Sequence, residues 1–499
     1  MKIFFSTLLG LALLTQINAQ PISTPLEKNN YLKVTSYDEL TTFIKQLDEK
    51  SDLLTVKIIG QSVQQRNLYA LMFSSSEFGK DKSKIKVMFH AQQHGNEQSG
   101  KEGALLLAQA LLKPENRYLF DKIDLALIPQ VNPDGSEKNT RRNGNNADLN
   151  RNHLILTEPE TMALHRFFDE YLFEVTMDIH EYSPYGGEWE EYGYRRNSEV
   201  TLGVNTSPNI PEKIREISNT KIFPFWTNNL MVNNFSSFIY CPGGPPEIDY
   251  IRHSTFDIND GRQSYGIQQT FSFIQEGLNG TDNYIENLKR RTTGQMTGMH
   301  GLLEYVYQNK TEIKKIVAAE RKSLSSGKSN PLVSIQSEHV NNGKQLTIPL
   351  LSYSTQKDTL VIVKDYRPVV KTLTDVQKPA GYLIPKSSKE LVEWANKQEL
   401  EMSEFKFKEG QKIEHYIINS IDSIDFERDI IIDPIVEAHK ISWEIAPAEY
   451  LYIPTAQLKG NLIVIALEPK SELGLVTYPQ YTHLLKVGEI FPILRVIKE

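Results

Sequence analysis

Apolar runs of strand length alternate with helix-like segments over residues 30–310. Ile85–Phe89 and Asp124–Val131 are compact apolar runs, typical of strands that are buried on both faces. From Pro159 to Leu172, apolar residues repeat at helical spacing, and the proline marks a helix start. This alternation predicts an α/β domain with a mixed, mostly parallel sheet flanked by helices. The other elements predicted here are a helix over Ala104–Leu112 and strands over Val175–Ile179 and Thr270–Ile274.

The pattern changes beyond residue 310. Lys310–Asn330 is charged and ends in a stretch rich in Ser and Gly, which predicts a helix and linker over residues 311–335. Short alternating runs separated by turns then predict a smaller β-rich C-terminal domain over residues 336–499. The runs are Leu346–Leu351, Thr359–Val363 and Leu462–Leu467, with a helix near Lys389–Gln398.

The first residues are typical of an export signal. Lys2 precedes a short apolar run over Ile3–Leu14, and Ala19 offers a small residue for cleavage before Gln20. We therefore expect a signal peptide over residues 1–19 and a periplasmic or secreted protein. No other stretch predicts a membrane span, because none is long and apolar enough.

Composition limits the classes of function. The net charge of -7 argues against nucleic-acid binding, since proteins of that class usually present a basic face. Cys241 is the only cysteine, so a site built from several thiolates is excluded. A bound metal would therefore be held by His, Asp and Glu side chains. The sequence carries no indication of the oligomeric state.

The strongest candidate for metal binding is a histidine and a glutamate that leave a buried strand together. His94 and Glu97 lie three residues apart in the loop after that strand, where they can close on one cation. His180, at the end of another predicted strand, offers a third ligand, and such a set leaves zinc an open position for water. Asp178 and Glu181 are candidates to accept hydrogen bonds from the imidazoles.

Arginine and asparagine side chains lie between the two histidine segments. They follow the sequence NPDG at residues 132–135, which predicts a turn. Guanidinium groups bind carboxylates in a fork and stabilise developing oxyanions, so Arg141 is a candidate for either task. The pair Asn150 and Arg151 is suited to holding a substrate carboxylate. An ordinary solvated basic loop is the alternative interpretation.

Five short motifs in one order make residues 30–310 resemble the zinc metallocarboxypeptidase family, carboxypeptidase A-like, in an exported bacterial type with an extra C-terminal domain. The resemblance implies a carboxypeptidase-like catalytic domain and one Zn²⁺ ion held by His94, Glu97 and His180, since carboxypeptidase A binds zinc with two histidines and one glutamate. The motifs are HGNE (94–97), NPDG (132–135), RRN (141–143), DLNRN (148–152) and DIH (178–180).

The same resemblance implies roles for the polar residues. Arg141 would polarise the scissile carbonyl and stabilise the oxyanion, while Asn150 and Arg151 would hold the free carboxylate of the substrate. The implied activity is hydrolysis of a peptide bond next to a C-terminal carboxylate by water activated on zinc. A deacylase or amidohydrolase of N-acylated amino acids or cell-wall peptides is an alternative on the same fold, and a non-catalytic zinc-fold binding protein is another.

The family also has a glutamate general base near the end of its catalytic domain, and a mobile tyrosine that closes over the substrate. Glu276 is the candidate base, although the family commonly has arginine two residues later and this chain has Leu278. Tyr250 is the candidate tyrosine and Tyr265 the second choice. The alternatives to Glu276 are Glu247 and Glu286.

Overall fold

The computed structural model describes residues 22–184, 187–280, 286–426, 429–441 and 446–498. The predicted signal peptide over residues 1–19 lies outside these ranges. Within them, no helix combines the length and the apolar character that crossing a bilayer requires.

An eight-stranded mixed sheet forms the centre of the N-terminal part. The strands of this part are β1 (Leu54–Gln61), β2 (Asn67–Phe73), β3 (Ile85–Ala91), β4 (Ile123–Ile128), β5 (Val175–Tyr182), β6 (Tyr194–Arg196), β7 (Val200–Gly203), β8 (Ser237–Ile239), β9 (Ile251–Arg252) and β10 (Phe271–Leu278). The sheet has the order β1-β2-β4-β3-β5-β10-β7-β8. Its four central strands, β4, β3, β5 and β10, run parallel, as predicted from the apolar runs.

Helices cover both faces of the sheet. They are α1 (Pro25–Lys28), α2 (Tyr37–Asp48), α3 (Gln98–Leu111), α4 (Pro133–Lys138), α5 (Pro159–Tyr171), α6 (Gly187–Glu191), α7 (Glu212–Ile217), α8 (Phe223–Val232), α9 (Gln263–Gly266) and α10 (Leu288–Ser325). On β3, Val87 and Phe89 enter a core shared with α3 and α10, whereas Met88 enters a second core with α5. Alternation along each strand therefore assigns neighbouring residues to opposite faces.

The segment NPDG, predicted as a turn, begins helix α4 instead. The Asn132 side chain accepts a hydrogen bond from the Gly135 N–H at 2.8 Å, which caps the helix. Pro133 takes the first helical position, where the missing N–H costs nothing. The same residue types serve a turn or a helix start, and the residues that follow decide which one forms.

The C-terminal part is rich in β-structure. Its strands are β11 (Leu332–Val340), β12 (Leu346–Ser352), β13 (Lys357–Val363), β14 (Tyr366–Arg367), β15 (Val369–Gln377), β16 (Gly381–Pro385), β17 (Ser403–Glu404), β18 (Ile413–Phe426), β19 (Asp429–Lys440), β20 (Tyr450–Pro454) and β21 (Leu494–Val496). Six of them form a sheet of order β17-β20-β16-β21-β18-β19. The predicted fold class, an α/β sheet domain followed by a β-rich C-terminal domain, is confirmed.

The strand predicted over Leu462–Leu467 is wrong, because these residues belong to helix α12 (Gly460–Leu467). Every residue from Leu462 to Leu467 is buried. A helix buried on all sides has no polar face, so its sequence shows no helical period and cannot be told from a buried strand. The helix predicted near Lys389–Gln398 is present as α11 (Lys389–Lys397).

The C-terminal part packs directly on the sheet domain. Strand β12 pairs with β6, which extends the β12–β13 hairpin across the boundary. The indole N–H of Trp394 and the Gln398 side-chain amide both donate to the Leu154 carbonyl, at 2.9 and 2.7 Å. Leu154 follows closely on the Asn150–Arg151 pair, so the C-terminal part holds the backbone of that segment.

Candidate metal centre and substrate site

Parallel strands β3 and β5 bring the three predicted metal ligands to one edge of the sheet. His94 lies in the loop after β3, Glu97 lies directly before α3, and His180 lies on β5 beside β3. All three residues are buried, and one ligand atom from each lies within 4.8 Å of the others. Open α/β sheets form their sites at the carboxyl ends of the strands, and this position follows that rule.

The loop that carries His94 passes very close to helix α4. A Cβ atom on Gly95 would lie 2.1 Å from the Gly135 carbonyl carbon and 2.4 Å from the Ser136 nitrogen. No residue other than glycine fits there without moving one of the two backbones. The HGNE segment therefore keeps its position only because Gly95 has no side chain.

The hydrogen bonds of the imidazoles direct their free nitrogens toward one point. His94 Nε2 lies 3.1 Å from an Asp148 oxygen, and His180 Nε2 lies 2.8 Å from an Asp178 oxygen. Each Nε2 therefore carries the proton, which leaves both Nδ1 lone pairs facing Glu97 at 2.8 Å. Lone pairs of two imidazoles and a carboxylate that converge in this way fit a zinc ion.

The sequence pattern does not indicate that Asp148 accepts a hydrogen bond from His94, whereas it makes Glu181 a candidate acceptor for an imidazole. The prediction for Glu181 is wrong, because alternation along β5 turns its side chain to the other face from His180. Its carboxylate instead accepts from the Ser99 hydroxyl at 2.6 Å and pairs with Arg291 at 2.5 Å. Asp178, two residues before His180, does contact the imidazole as predicted.

The charges of the centre favour a cation. Burial opposes protonation of His180, but the carboxylates of Asp178 and Glu97 raise its pKa well above the usual value. Burial also works to raise the pKa of Glu97, yet His94 and His180 lower it well below its ordinary range. The site thus stabilises positive charge between its carboxylates, as a divalent cation requires.

Arg141 reaches the open side of the centre. Its guanidinium contacts Asp148 through Nε at 3.1 Å and Nη2 at 3.0 Å, and its Nη1 lies 3.2 Å from His94 Nδ1. Nearly half of the side chain, 46%, is exposed. The guanidinium is therefore held by a carboxylate on one side and open to a substrate on the other.

Asn150 and Arg151 follow Asp148, which caps the short 3₁₀ segment Leu149–Arg151 that contains them. The Asn150 side chain is buried, and its Nδ2 lies 3.4 Å from His180 Nε2. Arg151 is exposed and donates from Nη1 to the Asn150 carbonyl at 2.8 Å. The structure thus places Asn150 next to the candidate metal ligand His180, with Arg151 beside it in the chain.

Glu276 on β10 is the register partner of His180 on the parallel strand β5, so both side chains point to the same face. Its exposed fraction is only 8%. Burial, assisted by the charge of Glu97, raises the pKa of Glu276 to about 7, although His180 and His94 lower it. A buried carboxyl with a pKa near neutrality suits proton transfer. The alternative Glu247 is exposed.

Comparison with known proteins finds the same family that the sequence motifs resemble. A family model described as zinc carboxypeptidase matches residues 40–221, a range that contains the three candidate ligands, Arg141 and the Asn150–Arg151 pair. Over these residues the chain is similar to the zinc carboxypeptidases. The predicted enzyme class, a hydrolase, and the predicted zinc cofactor are confirmed by this match, and His94, Glu97 and His180 form a possible binding site for the ion.

Two named relatives and one solved structure illustrate the extent of the likeness. "Carboxypeptidase 2" of Trichophyton rubrum is 21% identical over 451 residues, which cover 86% of this chain and 80% of the relative. "Carboxypeptidase D" of Mus musculus is 25% identical over 259 residues, or 44% of this chain and 18% of the relative. A metallo-carboxypeptidase structure from Burkholderia cenocepacia has 18% identity and a TM-score of 0.44, covering 56% of this chain and 71% of its own.

The two tyrosines considered from the sequence, Tyr250 and Tyr265, lie in different surroundings. Tyr250 stacks against the guanidinium of Arg367 from the C-terminal part, 3.9 Å from the ring centroid, and none of its described contacts involves the metal ligands. Tyr265 is fully buried and stacks on Phe168, so it has no room to move over a substrate. Tyr240, which we did not identify from the sequence, lies within electrostatic range of Glu276, and burial together with that charge raises its pKa.

Proposed function

We propose that the protein is a zinc metallocarboxypeptidase that hydrolyses the peptide bond next to a free C-terminal carboxylate. The observation that supports this best is the arrangement of Arg141 and Asn150 around the candidate metal site, at contact distances from its imidazoles, with Arg151 next to Asn150 in the chain. Zinc held there supplies Lewis acidity and makes water a stronger acid.

Each residue has a task in this proposal. Asn150 and Arg151 hold the substrate carboxylate, which sets the position of the last peptide bond relative to the metal. Arg141 donates to the carbonyl oxygen as negative charge develops on it. Glu276 accepts the proton of the attacking water and then passes it to the nitrogen of the leaving amino acid.

Asp148 connects two of these tasks. One of its oxygens accepts from His94 and the other from Arg141, so a single carboxylate orients a metal ligand and the oxyanion donor. This shared anchor leaves Nη1 of Arg141 pointing toward the metal centre, where the carbonyl oxygen of the substrate would lie.

The test compares a peptide that has a free C-terminus with its amidated twin, on protein loaded with zinc and on protein stripped by a chelator. We expect rapid release of the C-terminal residue from the free acid, slow turnover of the amide, and loss of both without metal. Equal rates on the two peptides would refute carboxylate recognition. Release of acyl groups from N-acylated amino acids would favour the deacylase, and bound zinc without any hydrolysis would favour the binding protein.

We also propose export to the periplasm or the medium, on the strength of the N-terminal apolar run. Residue-specific mass analysis of the mature protein should place its first residue at Gln20. Recovery of Met1 in protein from the cell interior would refute export.

A further inference from the structure

Gln93, the residue before His94, lies fully buried between the metal site and the carboxylate-binding pair. Its Nε2 donates to Asp178 Oδ2 at 2.8 Å and to Asn150 Oδ1 at 3.3 Å. Asp178 accepts from the metal ligand His180, and its other oxygen lies 3.3 Å from His90 Nδ1. The amide of Gln93 therefore contacts both Asp178, which holds the metal ligand His180, and Asn150, which belongs to the carboxylate-binding pair.

Two buried histidines determine which way this amide points. His153 Nε2 lies 2.7 Å from Gln93 Oε1, and His153 Nδ1 lies 3.0 Å from His165 Nε2. Burial lowers the pKa of both imidazoles, that of His153 to about 3, so each is neutral and carries one N–H. A neutral imidazole donates from one nitrogen and accepts at the other.

Only one arrangement of protons satisfies these contacts. The ionised Asp178 can only accept, so the NH₂ group of Gln93 must face it, and Gln93 Oε1 must then accept from His153 Nε2–H. His153 Nδ1 in turn accepts from His165 Nε2–H. Nδ1 of His165 is then unprotonated, and among the described residues it has no hydrogen-bond partner. The chain of hydrogen bonds therefore runs in one direction, toward the metal site.

The same amide orients Asn150. The Oδ1 atom of Asn150 accepts from Gln93 and from the Gly261 backbone N–H, the latter at 2.7 Å. With two donors at the oxygen, the amide nitrogen Nδ2 lies on the opposite side, 3.4 Å from His180 Nε2. The proposed carboxylate binding needs Asn150 to act as a donor, and this orientation keeps its N–H groups free of the two donors that hold Oδ1.

The side chains of Gln93 and Asp178 are tightly packed against the backbone at Gly261. A Cβ atom on Gly261 would lie 2.3 Å from Gln93 Nε2 and 2.6 Å from Asp178 Oδ2. Gln93 consequently has little freedom to adopt another rotamer or to turn its amide over.

We propose that Gln93 is a positioning residue that couples the metal site to the carboxylate-binding site, with His153 and His165 setting the direction of its amide. The coupling to Asn150 rests on the proposed carboxypeptidase function. The coupling to Asp178 and His180 concerns zinc binding alone and stands without that function.

The test replaces the amide with an apolar side chain of similar length, Gln93→Met, in the full-length protein. We expect zinc affinity, measured by competition with a chelator, to fall about 10- to 100-fold. The preference for a free-acid peptide over its amidated twin should fall about tenfold, because Asn150 loses one of the donors that fix it. Gln268→Met is the matched control. Gln268 is fully buried and donates to the Ser264 carbonyl, away from both sites.

A second variant, His165→Phe, keeps a ring stacked on Tyr265 and removes the donor to His153. We expect about a threefold loss of free-acid preference with little change in melting temperature. Should Gln93→Met fail to fold, this variant decides the question, and an unchanged preference overturns the proposal.

A purely structural role for Gln93 would lower the melting temperature of Gln93→Met as in the control, while zinc affinity and peptide preference stayed within about twofold of the native protein. That result also overturns the proposal. If the native protein hydrolyses neither peptide, the carboxypeptidase function fails, and the zinc affinity of Gln93→Met still tests the coupling to Asp178.

Discussion

Replacing Glu276 by Gln should remove activity and stabilise the metal-free fold at alkaline pH. A rise of the pKa from 4.5 to about 7 corresponds to about 3 kcal/mol of penalty on the ionised form in the native state. The native protein therefore binds a proton that the unfolded chain releases between these two values. The contribution of neutral Glu276 to the free energy of unfolding is fully present below pH 4.5, falls as the pH rises, and is lost above about pH 7.

The assay is urea unfolding of metal-free native protein and Glu276→Gln at about pH 5 and about pH 8. Near pH 5 the two should unfold with similar free energies. Near pH 8 the variant should be more stable by up to about 3 kcal/mol, because Gln carries no charge to bury. Zinc should reduce this difference, since a cation near Glu276 stabilises its ionised form.

Hydrolysis supplies the second half of this prediction. With zinc bound, Glu276→Gln should lose about 10²- to 10⁴-fold in kcat while its zinc content is unchanged. The reasoning would be refuted by a stability difference that does not vary between the two pH values, since burial of the charged form is its premise. Unimpaired hydrolysis would reject Glu276 as the base.

Three further substitutions test the site. Asp148→Asn should weaken zinc binding about 10- to 100-fold, because the amide oxygen is a weaker acceptor for His94 and for the Arg141 guanidinium. Chelator competition measures the affinity, and an unchanged value would contradict the role of Asp148 as a shared anchor. Arg151→Gln should raise KM for a free-acid peptide about tenfold or more and leave KM for the amidated peptide unchanged. Steady-state kinetics on the two peptides measures this, and an equal rise of KM for both would exclude carboxylate binding by Arg151. Gly261→Ala should lower the free energy of unfolding in urea by about 1–3 kcal/mol, since the added Cβ would collide with Gln93 and Asp178. An unchanged free energy of unfolding would mean that the space between Gly261, Gln93 and Asp178 accommodates a methyl group.

Much of the candidate site was predictable because its chemistry is local in sequence. His94 and Glu97 share one loop, and Asp178 and His180 are two residues apart on a strand, which places them on one face by alternation. The apolar runs before these residues predicted the parallel strands, and parallel strands end at one edge. That premise allows the three candidate ligands to meet, and the resemblance to the zinc carboxypeptidases is what implied that they form one set.

Local pattern was insufficient where packing decides between two structures. Leu462–Leu467 is a helix whose burial on all sides removes the helical period from its sequence, and NPDG begins a helix because the residues after it continue one. Tyr250 is the candidate mobile tyrosine, placed in the chain some residues before Glu276 as the resemblance implies, but its ring packs on Arg367 of the C-terminal part. Distance along the chain does not determine which way a loop side chain points.

The sequence by itself predicted the fold class from the pattern of apolar runs, and its short motifs, through their resemblance to the zinc carboxypeptidases, implied the zinc ion and the candidate ligands, because both kinds of signal are local in the chain. Only the tertiary structure decided which residues surround the candidate metal ligands. Gln93, His153 and Asp148 look like ordinary polar residues until strands and loops far apart in the chain bring them together. Trp394 and Gln398 reach the Leu154 carbonyl across 240 and 244 positions, and such contacts leave no local pattern because they depend on how whole elements pack.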